Sequence, residues 1–382
     1  LDKIKINHSK QNTDSRYEIT SSKKKNELIK SQIKSGVIIT NAQNQSSKNE
    51  LIYQKTNSMK KIALVCALLM LAWSSCDKKS TNCGLACATE EELLFQTGFN
   101  NTTLTNGAYE NVTFSGIDAE FSEKNNWDEF VANPSVGYVE IGYEDGEDHQ
   151  RIAQIVPDPD ELSNQALSFK LIEPHIKEGS NKKGRVQLSV NENQCIKEIY
   201  QTVRLKLHPD LAYLMEWEQR MPWFTVFEFW NNATWSNEKK TFRVTVNLFK
   251  DAEGPVDEIH FHAKADHQAC NVCEWKADWE EEASHFALPF GTWMEIELYL
   301  LEGDENNGRF YMAVTPEGQS KVVLFDITNN THHRKEKCPD GFSHFQPMKL
   351  YTSDYVINYM KSGNKSLELF WDDWKLYRNK SF

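Results

Sequence analysis

From Leu93 onward the chain is written in short runs whose apolar residues recur at every second position. Such runs bury one face only as β-strands. In Arg185–Val190, Val186, Leu188 and Val190 alternate with Arg185, Gln187 and Ser189. Tyr200–Leu207 sets Val203, Leu205 and Leu207 against Arg204, Lys206 and, one step on, His208. Phe242–Phe249 sets Phe242, Val244, Val246 and Leu248 against Arg243, Thr245 and Asn247, and Glu258–Ala263 sets Ile259, Phe261 and Ala263 against His260 and His262. Successive side chains of a strand point to opposite faces. If these strands share a sheet, one side packs a core and the other presents Arg, Gln, Lys, Asn and His. For any one strand the plain alternative is an ordinary solvated face. Similar runs at Gly137–Tyr143, Ala166–Ile172, Phe224–Trp230, Trp293–Leu301, Gly308–Val314, Lys321–Ile327 and Leu367–Tyr377 are separated by Gly, Asn, Asp and Pro. Helical spacing is confined to Tyr351–Met360 and Trp275–Ala283. This pattern predicts an all-β sandwich or barrel.

The front of the chain reads differently. Met59-Lys60-Lys61 precedes the apolar run Ile62–Leu71 and then Ala72-Trp73-Ser74-Ser75-Cys76. A basic start, about ten apolar residues and small residues at the end spell a secretory signal, too short for the roughly 20 residues of a membrane span. Cys76 after two serines resembles the lipoprotein type, in which that cysteine carries the lipid. Residues 59–75 are thus expected as signal peptide, and residues 76–92 as lipidated cysteine and flexible tether. Residues 93–382 form the folded domain, and residues 1–58 are read as upstream translation or a disordered tail. The expected location is the bacterial envelope, as an outer-membrane lipoprotein touching the membrane through its lipid alone.

Charge narrows the partners. Of the 43 Lys and Arg, 13 lie in the first 76 residues, against 5 of the 55 Asp and Glu. The remainder therefore holds 30 basic and 50 acidic residues, a formal −20. That excludes nucleic acid as the expected partner, since phosphate binding needs clustered Lys and Arg. Cys83, Cys87, Cys195, Cys270, Cys273 and Cys338 remain beyond the signal. In an exported chain an even count favours disulfides, with Cys83/Cys87 a possible local staple in the tether. His267-x-x-Cys270-x-x-Cys273 also fits part of a zinc site, a weaker reading of the same residues.

The C-terminal third holds Gly291-Thr292-Trp293-Met294-Glu295, Asn307-Gly308-Arg309-Phe310 and Leu367-Glu368-Leu369-Phe370-Trp371-Asp372-Asp373-Trp374. With Leu94–Phe99 as the strand pairing the last of these, the chain resembles the concanavalin A-like jelly roll of heparin and alginate lyases. Arg185-Val186-Gln187-Leu188 and Glu258-Ile259-His260 stand near the "R-S-E-L" and "Q-I-H" strands of alginate lyases. Met348-Lys349-Leu350-Tyr351 stands for the final "Y-x-K-x-G-x-Y", lacking its glycine and its tyrosine spacing. The resemblance implies a lyase on a uronate-containing polysaccharide, with Arg185 and Gln187 on the carboxylate. It assigns the C5 proton to His260 or His262 and the leaving oxygen to Tyr351 or Lys349. It requires no cofactor. Asp372 and Asp373 are candidates for a structural calcium.

Arg204, Arg243, Asn247 and Trp230 are expected to bind substrate. Trp217, Trp223, Trp230 and Trp235 are candidate sugar platforms, with core packing the alternative for each. His332-His333-Arg334-Lys335 is a basic run that fits either an anionic sugar or a solvated loop. A glycan-binding lipoprotein without catalysis is the second reading, and a glycosidase using two of Glu216, Glu218 and Glu228 the third. The domain is expected to act as a monomer.

Overall fold

The computed structural model describes residues 87–382 apart from 107–111, 144–148, 175–182, 194, 233–239, 252–257 and 269–273. Cys66, Cys76, Cys83, Trp235, Cys270 and Cys273, with the signal and zinc readings, fall outside the described residues.

The strands in chain order are β1 (Glu92–Thr97), β2 (Thr103–Asn106), β3 (Val112–Ser115), β4 (Tyr138–Tyr143), β5 (Arg151–Pro157) and β6 (Gln165–Leu171). Then come β7 (Lys183–Asn191), β8 (Glu198–Leu207), β9 (Phe224–Asn231), β10 (Phe242–Phe249), β11 (His260–His267) and β12 (Lys276–Glu282). The series closes with β13 (Trp293–Leu301), β14 (Arg309–Pro316), β15 (Val322–Thr328), β16 (His344–Ser353) and β17 (Leu367–Arg378). Helices α1 (Trp127–Val131) and α2 (Asp354–Ser362), with a 3-10 turn at Pro209–Glu216, are minor additions.

Two antiparallel sheets form a β-jelly-roll sandwich. One runs β15-β14-β13-β8-β17-β6-β5 with β1 also on β17, and the other runs β12-β11-β10-β9-β16-β7-β4-β3-β2. The alternation read from the sequence is what packs them. Val186, Leu188, Val190, Val244, Val246, Val203, Leu205 and Leu207 are fully buried in one core. Burying each such side chain contributes about 1.5–3 kcal/mol. Trp127, Trp371 and Trp374 are fully buried too, with Trp127 stacked 4.1 Å from Phe114. Strand β17 changes partner along its length, pairing Leu367–Trp371 with β6 and Trp374–Arg378 with β1. The change falls at Asp372-Asp373, where Asp373 takes φ 47°.

Two sequence expectations are corrected, and one strand was missed. Trp275–Ala283 is not a helix: its apolar spacing at Trp275, Trp279 and Ala283 mimics one, but Lys276–Glu282 forms the edge strand β12. Charge is what protects such an edge from further pairing. Tyr351 lies on a strand, because the helix begins only at its Ser353 cap, whose hydroxyl accepts from the Val356 amide. Strand β16 escaped the pattern because Pro347 falls in a register shift between Phe345 and Met348, which breaks the two-residue period.

Cys87 does not staple to Cys83; it is bonded to Cys195, 108 residues away. The tether is therefore fixed before β1 begins. Cys338 is also disulfide-bonded. Closing a loop of that length restricts the unfolded chain, so Cys87→Ser/Cys195→Ser is expected to lose about 2–5 kcal/mol of stability, read by urea denaturation.

Candidate functional site

The nine-stranded sheet turns its core-facing residues inward and its polar residues toward a cleft of about 410 Å3. That volume lies in the lower part of the range of about 300–1,000 Å3 found for ligand pockets. Pairing register lays the polar residues in rows across the strands. His262 on β11 opposes Asn247 on β10, and Asn247 opposes Thr225 on β9. Thr225 opposes Tyr351 on β16, and Tyr351 opposes Arg185 on β7. In the next row Lys349 opposes Gln187. Four sequence candidates, Arg185, Gln187, Lys349 and Tyr351, are therefore neighbours on two adjacent strands. Near the Tyr351 ring centroid stand the Lys349 Nζ at 5.1 Å, the Lys183 Nζ at 5.7 Å and the Arg185 guanidinium at 6.0 Å. Trp223 lies 5.9 Å from the same ring.

Beneath this group runs a buried charge network. The Lys349 ammonium is paired with the Glu228 carboxylate, both side chains almost inaccessible. Arg243 Nη1 donates to Glu228 Oε1 at 3.1 Å, and its Nε and Nη2 donate to Asp266 at 2.7 and 3.3 Å. Its guanidinium also lies 3.9 Å from the Trp275 ring centroid and 5.3 Å from that of Trp230. Burial pushes the Lys349 ammonium down to about 8, with Glu228 opposing the shift and Arg185 and Arg243 adding to it. Burial alone would raise the Glu228 carboxyl, but Lys349 and Arg243 hold it below the usual carboxylate range.

His262 lines the opposite flank, its ring 5.1 Å from Phe249 and its Nε2 3.8 Å from Glu280. Burial lowers its pKa, so the ring is neutral at neutral pH. Three strand spacings separate it from Tyr351, about 14 Å between backbones.

The other candidates are spread more widely. His260, directly opposite Phe249 in register and 3.7 Å from Glu258, lines a separate depression of about 200 Å3. Arg204 is on the eight-stranded sheet, because β8 pairs with β13 and β17, and it stands 4.8 Å over Trp293. It is therefore absent from the cleft. Asn247 is held between Thr225 Oγ1, which donates to it at 2.8 Å, and Thr245 Oγ1, to which it donates at 3.1 Å. Trp230 is buried under Trp275, 5.7 Å between centroids, so Trp275 and Trp223 are the tryptophans that line the cleft. Trp217 packs in the core against Tyr359. In the basic run, His332 and His333 are buried and Arg334 donates to Asp278 at 2.8 Å. Glu216 lines a different depression from the cleft, and Glu228 is held by two cations. Glu216 and Glu228 are therefore not a facing carboxylate pair, and Glu218 is exposed.

Alternation could have found part of what was missed: continuing β11 past Ala263 puts Lys264 and Asp266 beside His262 in the cleft. No local signal marks Trp275, Glu280 or Glu282, because β12 reads as helix.

Asp372 and Asp373, the calcium candidates, are engaged by protein groups. Asn164 Nδ2 donates to Asp372 Oδ2 at 2.9 Å and the Asp373 amide to its Oδ1 at 2.8 Å, while Arg204 Nη1 lies 3.7 Å from both carboxylates. Among the described residues no group of three or more His, Cys, Asp or Glu is placed to hold a metal ion. Burial, with Asp373 beside it, raises the Asp372 carboxyl to about 8. A group raised on folding binds its proton more tightly in the native state, so its stabilising effect is lost as pH rises from about 4 toward 8. Asp372→Asn is expected to flatten that decline in melting temperature across pH 4–8.

No family model and no curated protein matches the chain. Among solved structures, an endo-β-1,4-glucuronan lyase from the fungus Trichoderma reesei aligns at 12% identity and TM-score 0.40, over 63% of this chain and 94% of its own. An alginate lyase from Aplysia kurodai aligns at 10% and 0.37, over 63% and 90%. A β-glucanase catalytic domain from Podospora anserina aligns at 11% and 0.38, over 76% and 97%. The neighbours thus include polysaccharide lyases and a glucanase.

Proposed function

We propose that this protein is a polysaccharide lyase that cleaves a uronate-containing glycan by β-elimination, held at the bacterial envelope by a lipid on Cys76. The observation that supports the reading is the cluster of Arg185, Gln187, Lys349 and Tyr351 on the paired strands β7 and β16, of which Tyr351 lines the cleft.

Elimination removes the C5 proton, breaks the bond from C4 to the leaving oxygen, forms the C4–C5 double bond and protonates that oxygen. Negative charge builds on the uronate carboxylate as the proton leaves. Arg185, beside Tyr351, supplies positive charge near where that carboxylate would sit, and the buried Lys349, held by Glu228, adds its field from beneath. Tyr351, beside them, is placed to move the proton. His262, about 14 Å away across the strands, suits a neighbouring sugar better than the same C5.

The test is incubation of the full chain with a panel of uronate polysaccharides, following ultraviolet absorbance of the unsaturated product. A rise that is lost in Tyr351→Phe supports the reading. Retention on a polymer in an affinity gel without any rise overturns catalysis and leaves the non-catalytic binding protein.

A further inference from the structure

The cleft has two unlike ends. At the β7–β16 end, Lys183, Arg185 and Lys349 surround Tyr351 within 6.0 Å of its ring centroid. At the other end the edge strand β12 contributes the exposed carboxylates Glu280 and Glu282, opposite Lys264 and His262 in register. Of the three cations lining this end, two are paired with carboxylates of the sheet. Lys264 Nζ is 3.7 Å from Asp266, and Arg243 is bound to Glu228 and Asp266. Arg220 stands over Phe249 at 5.2 Å. Glu280 has His262 at 3.8 Å, and Glu282 has no ion pair among the described residues. The cleft crosses the strands, so a sugar chain with a uronate at Tyr351 runs toward this acidic wall. A second carboxylate there meets like charge, in a domain already at a formal −20 beyond residue 76. The hydroxyls of an uncharged sugar instead donate hydrogen bonds to the same two carboxylates.

We propose that the site takes a glycan in which the uronate is flanked, toward β12, by an uncharged sugar, and that polymers carrying a carboxylate on every residue are poor ligands. This rests on the lyase reading and names its substrate class. Specificity then arises from repulsion of the wrong polymer as much as from attraction of the right one.

The test is calorimetric binding of defined tetrasaccharides to the full chain carrying Tyr351→Phe, at low salt, where exposed charges are least screened. An alternating uronate–neutral hexose tetrasaccharide is expected to bind at least tenfold tighter than a homouronate of equal length. Adding Glu280→Gln/Glu282→Gln should narrow that ratio to under threefold. Both positions are exposed, so folding is not at stake. Equal or tighter binding of the homouronate, or a ratio unmoved by the double substitution, overturns the proposal. Failure of both uronate tetrasaccharides to bind in either background overturns the lyase reading itself, and this one with it.

Discussion

Lys349→Met is expected to destabilise the domain by about 3–5 kcal/mol, the usual effect of removing one partner from a fully buried ion pair. Lys349 and Glu228 are about 1% and 4% exposed, so neither charge has water to fall back on. The energy lost is chiefly that of leaving the Glu228 carboxylate inside the sheet without its buried ammonium, Arg243 still paired with it. Glu228→Gln/Lys349→Met should recover part of the loss, because buried ion pairs exchanged for neutral groups are often close to neutral overall. Urea denaturation decides it: the midpoint should fall in the single variant with the slope unchanged, and rise again in the double. A single variant as stable as the parent would mean that the pair is reached by water and carries no such weight.

Tyr351→Phe is expected to lower the eliminative rate about 100- to 10,000-fold, the span typical of removing a positioned proton-transfer group. Stability should stay within about 0.5 kcal/mol, as for changes away from core features, since the ring and its contact with Trp223 remain. His262→Ala should act more on substrate affinity than on turnover. The dependence of kcat/KM on pH gives an independent reading. Above about pH 8 the Lys349 ammonium is lost, and with it positive charge next to Tyr351, so the rate should fall on the alkaline side. Unfolding is not the cause expected from this group. Its native pKa lies below the ordinary 10.5, so between about 8 and 10.5 the unfolded chain binds more protons. This group's contribution to stability therefore rises with pH across that window.

Much of the sandwich was legible because burial in a two-sheet core imposes a two-residue period, and Val186/Leu188/Val190 or Val244/Val246/Leu248 carry it openly. The same period put Gln187, Asn247 and His262 on the cleft face and Arg204 on a polar face. It could not say that Arg204 belongs to the other sheet, since a strand's pattern names its two faces without naming its neighbours. Strands β12 and β16 were hidden for opposite reasons. Edge position let β12 carry charges in a helix-like spacing, and Pro347 broke the period of β16. The pairing of Cys87 with Cys195 was equally beyond reach, because connectivity depends on which loops meet.

The sequence by itself determined the strand content, the identity of the core faces and the acidic balance, because these follow from local alternation and from counting charges. Only the tertiary structure decided which polar residues share a cleft. Arg185 and Tyr351 are 166 positions apart and become neighbours through strand register alone. Lys349 and Glu228 become a pair because antiparallel β9 and β16 lie side by side. Register is a long-range choice, made by the whole sheet burying its apolar face, and no short stretch of the chain encodes it.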